Sequence, residues 1–153
     1  MEIIDFLNLN TFNKSIQEEQ VEAGAQLLDI NEFKIIYNYM RRYINTYNKF
    51  GCEMMISFDI DLVYITQEER ETIIKAIGEI IRSSLRKSDV LTNVGNSFVL
   101  LLPELTEQDK ITVINRIKDR IFETELYNIV TMRVNSQVIT PEINFETWIR
   151  MAV

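Results

Sequence analysis

The 153-residue sequence predicts one α+β domain, an antiparallel sheet covered by helices, preceded by a helical extension. Three observations carry this. Three capping signals each precede apolar residues at helical spacing, several apolar stretches have strand character, and from Cys52 to Ile139 the two kinds alternate as β-α-β-β-α-β. With 46% hydrophobic and 25% charged residues, the chain has the material for a sizeable core.

Residues 1–26 read as an amino-terminal arm or helical extension and 27–153 as the domain proper, with a soft boundary near Gln26. Ile3, Ile4, Phe6, Leu7, Leu9 and Phe12 are too apolar for a free tail. Ser15 to Leu28 reads as a polar helix interrupted by Gly24, and the acidic run Gln17 to Glu22 as its solvated face. From Asp29 the signals sharpen. Asp29 and Glu32 form a capping-box pattern, followed by Phe33, Ile36, Tyr37, Met40, Ile44 and Tyr47 on a helix from about Asn31 to Asn48.

Lys49-Phe50-Gly51 ends that helix, and Cys52 to Ile60 is a largely buried strand running into Asp59 and Asp61. Thr66 and Glu69 cap a second helix that carries Ile73, Ile74, Ile77, Ile80, Ile81 and Leu85 to about Arg86. Asp89–Val94 and Ser97–Leu102 flank Gly95-Asn96 as a hairpin that Pro103 stops. Thr106 and Asp109 open a third helix bearing Ile111, Ile114, Ile117, Ile121 and Phe122. Tyr127 to Ile139 is β-rich, Pro141 marks a turn, and Phe145 to Met151 is at most a short helix. This order is that of a ferredoxin-like fold, with two helices on one face of an antiparallel sheet. Many functions share it, so the site must decide.

Composition excludes several classes. A formal net charge of -7 and a pI near 4.7 oppose non-specific binding to nucleic acid or anionic membrane, both of which need a positive field. Cys52 is the single cysteine and there is no His, so an internal disulfide and a Cys/His zinc site are excluded. A reducing cytoplasm fits. The amino terminus is acidic and its apolar run is broken by Asp5 and Asn8, unlike a signal peptide or a membrane span. Without His, catalysis at neutral pH would fall to carboxylates, Lys, Tyr, Cys52 or a carboxylate-held metal.

Three segments carry a resemblance to a family: Ser-Phe-Asp-Ile-Asp at 57–61, Arg-Ser-Ser-Leu-Arg-Lys-Ser-Asp at 82–89, and Val-Gly-Asn-Ser-Phe-Val-Leu-Leu-Leu-Pro at 94–103. In their order and spacing they resemble the GGDEF domains of bacterial diguanylate cyclases, which condense two GTP into cyclic di-GMP. The resemblance covers about residues 27–152 and implies a nucleotidyl-cyclase-like core. It places Asp59 at the family's first metal-binding position. A second acidic ligand is expected in the hairpin turn, so that two carboxylates hold Mg²⁺ on a triphosphate.

Here the turn reads Val94-Gly95-Asn96-Ser97-Phe98, one residue short, with Asn96 and Ser97 where the acids stand. Asn offers a carbonyl oxygen but no negative charge to concentrate the ion. After Asp61 the chain has Leu62-Val63-Tyr64-Ile65-Thr66 and lacks the family's Lys, Asn-Asp and Gly-His groups. The family's basic segment beyond the terminal helix is also missing. The expectation is a catalytically inactive GGDEF-like domain that serves as a protein-interaction or regulatory module, self-associating or bound to another protein. Gly95, Asn96, Ser97 and Asp59 are then vestigial positions. No cofactor is expected, with Mg²⁺ entering only if an Asp59 site is retained.

Arg86-Lys87-Ser88-Asp89 matches the family's Arg-x-x-Asp product-binding pattern. The alternative expectation is therefore a cyclic di-GMP sensor that uses Arg86 and Asp89, since Arg grips phosphate or guanine bidentately and Asp accepts guanine N–H groups. The plainer reading is a helix-end cation facing a turn-capping Asp. A residual nucleotide hydrolase at Asp59 is a third. Asp59 and Asp61, alternating on a strand, read as solvated strand-end carboxylates or a weak cation site. Cys52 reads as a buried inert thiol. Tyr37, Tyr39, Tyr43 and Tyr47, with Arg41 and Arg42, read as a helix face packed on the sheet more than as a base-stacking surface.

Overall fold

The computed structural model describes residues 8–18 and 20–142. A short helix α1 (Leu9–Ile16) precedes β1 (Gln26–Leu28), α2 (Ile30–Tyr47), β2 (Gly51–Ile60) and α3 (Gln67–Ser84). The hairpin β3 (Val90–Val94) and β4 (Ser97–Pro103), helix α4 (Glu107–Phe122), a 3₁₀ turn (Glu125–Asn128) and β5 (Val130–Ile139) follow. The expected terminal helix at Phe145 to Met151 lies outside the described residues.

The strands form one sheet in the order β1-β3-β4-β2-β5. β3-β4-β2-β5 is antiparallel throughout, as the ferredoxin-like order requires. β1 joins β3 in parallel, which makes the five-stranded sheet mixed. This corrects the expected helix from Ser15 to Leu28. α1 ends at Ile16, the described residues of the acidic run beyond it are not helical, and Gln26–Leu28 takes its backbone partners from β3. Gly24 is the hinge of that change: its φ is +84°, and a Cβ there would stand 2.6 Å from the Arg82 carbonyl oxygen.

Capping chemistry sets the helix starts. Asp29 accepts from the Glu32 N–H while Glu32 reaches back to the Asp29 N–H, closing the capping box of α2. Thr66 and Thr106 accept from the N–H groups of Glu69 and Asp109. Asn48, left-handed at φ 52°, ends α2.

Alternation on the strands divides the core. Met54, Ile56 and Phe58 of β2, with Phe98, Leu100 and Leu102 of β4, meet α3 through Ile74, Ile77 and Ile81 and α4 through Val113, Ile117 and Ile121. Phe58 and Phe98 meet edge to face at 6.3 Å. Two of the apolar residues expected to face the core from α4, Ile111 and Phe122, are exposed, and Val113 takes a buried place. The opposite face carries α2, where Phe33, Met40 and Ile44 enclose Leu101 and Ile139. Of the four tyrosines expected to pack on the sheet, Tyr37 alone packs against this cluster, while Tyr39, Tyr43 and Tyr47 are exposed. Cys52 is buried, and that burial raises its thiol pKa. Among the described residues no helix is long and apolar enough to cross a membrane.

Candidate functional site

The turn from α3 into β3 brings Arg86 and Asp89 together, and they close on each other. Asp89 is 1% exposed. One of its carboxylate oxygens accepts the Arg86 backbone N–H at 2.8 Å. The other accepts Arg86 Nη2 at 2.8 Å, and Nε approaches both oxygens at 3.2 Å. Arg86 Nη2 also donates to the Pro103 carbonyl at 2.8 Å, so the pair ties the helix end to the last residue of β4. Arg86, whose side chain is 45% exposed, keeps one side toward solvent. This is the plainer helix-end arrangement, a charge-assisted bidentate lock, and Asp89 has no oxygen left facing outward for a guanine edge.

At the hairpin, Gly95 with φ +60° and Asn96 form the two-residue loop between Val94 and Ser97. A positive φ at the first loop position is the pattern of a type II′ turn, and it suits the twist of the strands. Polar groups of the chain itself hold the tip. Asn93 Nδ2 donates to the carbonyls of Gly95 and Ser97, both at 2.9 Å, and the Asn96 carbonyl accepts the Phe58 N–H at 3.0 Å. The Ser57 and Ser97 hydroxyls lie 2.8 Å apart across β2 and β4.

Asp59 lies two residues beyond Ser57 on the same side of β2, close to this tip. Its carboxylate is paired with Arg133 of β5, with Nη2 and Nε each at 3.2 Å. Asp61 follows the strand and accepts the Thr131 hydroxyl at 2.7 Å. Among the described residues no three Asp, Glu or Cys side chains are grouped to hold a metal ion. The Mg²⁺ that a cyclase site implies does not fit this donor set. One carboxylate is paired with an arginine, and the turn beside it offers an amide and a hydroxyl where a second negative charge is needed.

A groove that the sequence analysis does not anticipate lies between α3 and the hairpin, a space of about 570 Å³. Gln67, Arg70, Glu71 and Lys75 line one wall, and Asn93, Gly95 and Asn96 line the other. Gly78 lets the helix come close to the strands here, since a Cβ would sit 3.0 Å from the Phe98 ring. Gln67, Glu71 and Lys75 recur every four residues, the signal of a polar stripe on one helix side. At the far end, Arg82 binds Glu79 through Nε and Nη2 at 2.9 and 2.7 Å and donates from Nη1 to the carbonyls of Ala23 and Ala25. The chain before β1 is thus strapped to α3. The Arg82 pairing lowers the Glu79 pKa.

An α+β sheet with a hairpin tip beside a helical groove defines a class, and comparison with solved structures identifies it as the GGDEF fold. SiaD, a diguanylate cyclase from Pseudomonas aeruginosa solved with its activator SiaC, matches with a TM-score of 0.68 at 17% identity over 98% of this chain. This chain spans 60% of that one. The GGDEF domain of DgcB from Caulobacter crescentus, solved in complex with cyclic di-GMP, matches at 0.66 and 11% identity, covering 89% of this chain and 86% of the other. The FimX GGDEF domain from Pseudomonas aeruginosa matches at 0.60 and 11%, over 82% and 83%. At these identities the likeness establishes the fold. No family model and no curated protein matches the sequence.

Proposed function

We propose that this chain is a non-catalytic GGDEF-fold module that acts in the cytoplasm by binding, with a second copy of itself or another protein as partner. The observation that supports this reading is the state of the vestigial acids. Asp59 is paired with Arg133, and Asn96 and Ser97 bring no charge to the hairpin tip. Metal-assisted phosphoryl chemistry draws its rate from carboxylates that concentrate and aim the ion. The test is incubation of the pure protein with GTP and Mg²⁺ or Mn²⁺. Unchanged GTP is expected, and formation of cyclic di-GMP overturns the proposal. Metal-dependent GTP loss that disappears in Asp59→Ala replaces it with the hydrolase reading.

A second reading, a guanine-nucleotide sensor at Arg86 and Asp89, draws on the half-exposed Arg86 guanidinium and on the DgcB domain solved with cyclic di-GMP. Binding there must compete with the internal lock, since Asp89 already accepts both kinds of bond from Arg86. A rise in melting temperature with added cyclic di-GMP that vanishes in Arg86→Ala supports the sensor. No shift at saturating ligand removes it.

A further inference from the structure

We propose that the outer edge of β5 is a homodimer surface, on which β5 of a second copy pairs antiparallel so that two five-stranded sheets become one. This deepens the reading of the chain as a self-associating module and rests on it. β5 is 10 residues long and pairs with β2 in unbroken register from Val130 to Ile139. It stands at one end of the sheet order, and among the described residues no strand lies beyond it. Its outward N–H and C=O groups are therefore a template for another strand. The devices that commonly blunt such an edge are missing. β5 has no Pro, Gly, Lys or bulge, and its single charge, Arg133, is bonded to Asp59. The chain leaving β5 turns away from this edge, since Glu142 is bonded to Arg41 and its N–H donates to Asn45, both on α2.

The helix layer says that the partner is more than a lone strand. On α4, Arg116 and Arg120 reach α3 at Ser84, while Val113, Ile117 and Ile121 face the sheet. The helical repeat then puts Ile111, Ile114 and Phe122 on the flank away from α3. Because α3 lies over the hairpin strands, with Gly78 against Phe98, this flank looks toward the β5 edge. Ile111 and Phe122 are more than half exposed there. One layer down, Val134 and Val138 are exposed on the same side of β5 as Met132, which packs into the main core. An added peptide strand would cover Val134 and Val138 and leave the helix layer bare. A second copy covers both, because a two-fold axis normal to the sheet sets β5 against β5 and brings the α4 flanks together on one side. Side chains choose the register. With the two-fold at Ser136, Val134 stands opposite Val138 of the second copy, Asn135 opposite its Gln137 and Arg133 opposite its Ile139. Valine pairs then lie on the helix side and amide pairs on the open side. The two arginines are about 20 Å apart along the strands, whereas a two-fold at Val134 would set them diagonally adjacent. The α4 flank also carries Glu107, bonded to Lys110, and Lys118 toward the other end, so antiparallel copies bring unlike charges toward each other.

The test is the mass in solution of the full chain, by light scattering and sedimentation over a wide concentration range. A dimer is expected for the unaltered protein, and amide exchange along β5 should slow as it forms. Val134→Lys or Val138→Glu alone should weaken the dimer at least about tenfold, since the two-fold applies each change twice, with unchanged far-ultraviolet circular dichroism. Combined in one chain, the two changes set opposite charges across the strand pair and should restore the dimer. Ile111→Glu should weaken it through the helix layer. A dimer that keeps its strength in both single variants, or forms without slowing exchange along β5, overturns the surface and leaves self-association standing. A double variant no stronger than the singles overturns the register. A monomer of the unaltered protein at every concentration overturns surface and self-association together.

Discussion

The two faces of the sheet are unequal. On one, α3 and α4 enclose a large cluster that includes Phe58, Phe98, Leu100, Ile77 and Ile117, each almost wholly buried. On the other, α2 covers Phe33, Met40, Ile44, Leu101 and Ile139. Beside that patch the sheet lies open, with Met55 and Asp59 exposed along β2. Hydrophobic stabilisation scales with the apolar area removed from water, so the α3/α4 face dominates folding. The α2 face holds less of the fold. Asp59 and, paired with Ser57 across the strands, Ser97 also point to this open side, away from the main core.

The comparison breaks first at Phe98→Ala. Phe98 is 2% exposed, stacks edge to face on Phe58 and touches Gly78, so truncation costs about 3–5 kcal/mol. Leu101→Ala, one strand residue from the matching Leu100 but on the α2 side, should cost about 2 kcal/mol, the low end of the leucine range. Its neighbours border a groove into which they can relax. Urea unfolding of both variants measures the difference, and equal losses would abolish the claimed asymmetry.

Asp89→Asn comes next. It removes the charge from a buried lock that joins α3 to the end of β4, and about 2 kcal/mol should be lost. Arg86 is half exposed and recovers water, which keeps the cost below that of a fully buried pair. Asn93→Ala should cost about 1 kcal/mol, since its two bonds to the hairpin tip are exposed and water replaces them in part. Amide exchange at Gly95 and Asn96 should rise in that variant while the core amides keep their protection.

Much of this architecture was legible because it is local. Asp29, Thr66 and Thr106 are side-chain caps whose partners lie three residues on, and the sequence places the three long helices within about two residues at each end. Gly95-Asn96 gives the hairpin for the same reason. β1 was illegible because a three-residue strand with Leu27 half exposed has no pattern of its own, and its hydrogen bonds come from β3, sixty-odd residues away. α4 misled because Ile111 is an apolar residue on the solvent side, while Val113 faces the core. At the site, the sequence brings Arg86 to Asp89 but cannot say whether they face outward or each other. The Asp59–Arg133 pair depends on the register of β2 with β5, which only the folded sheet fixes.

The smallest effect expected is that of pH on the strap between α3 and the chain before β1, and it sharpens the comparison at the rim of the major face. Arg82 stabilises ionised Glu79, so the carboxyl titrates lower in the folded protein than its ordinary value of 4.5. A lowered folded pKa means that the unfolded chain takes up the proton first. The contribution is therefore fully present above pH 4.5 and lost as pH falls through the folded value. Glu79 stands largely in solvent, so screening holds the effect below about 1 kcal/mol. In Glu79→Gln the stability profile should flatten slightly on its acid side and match the unaltered protein's slope above pH 6 or so, where both states are ionised. Arg82 also holds Ala23 and Ala25, so the same variant reports whether the strap depends on the ion pair. If amide exchange at Gln26 and Leu27 is unchanged, the backbone bond from Ala25 to the Arg82 carbonyl suffices to hold β1 in the sheet.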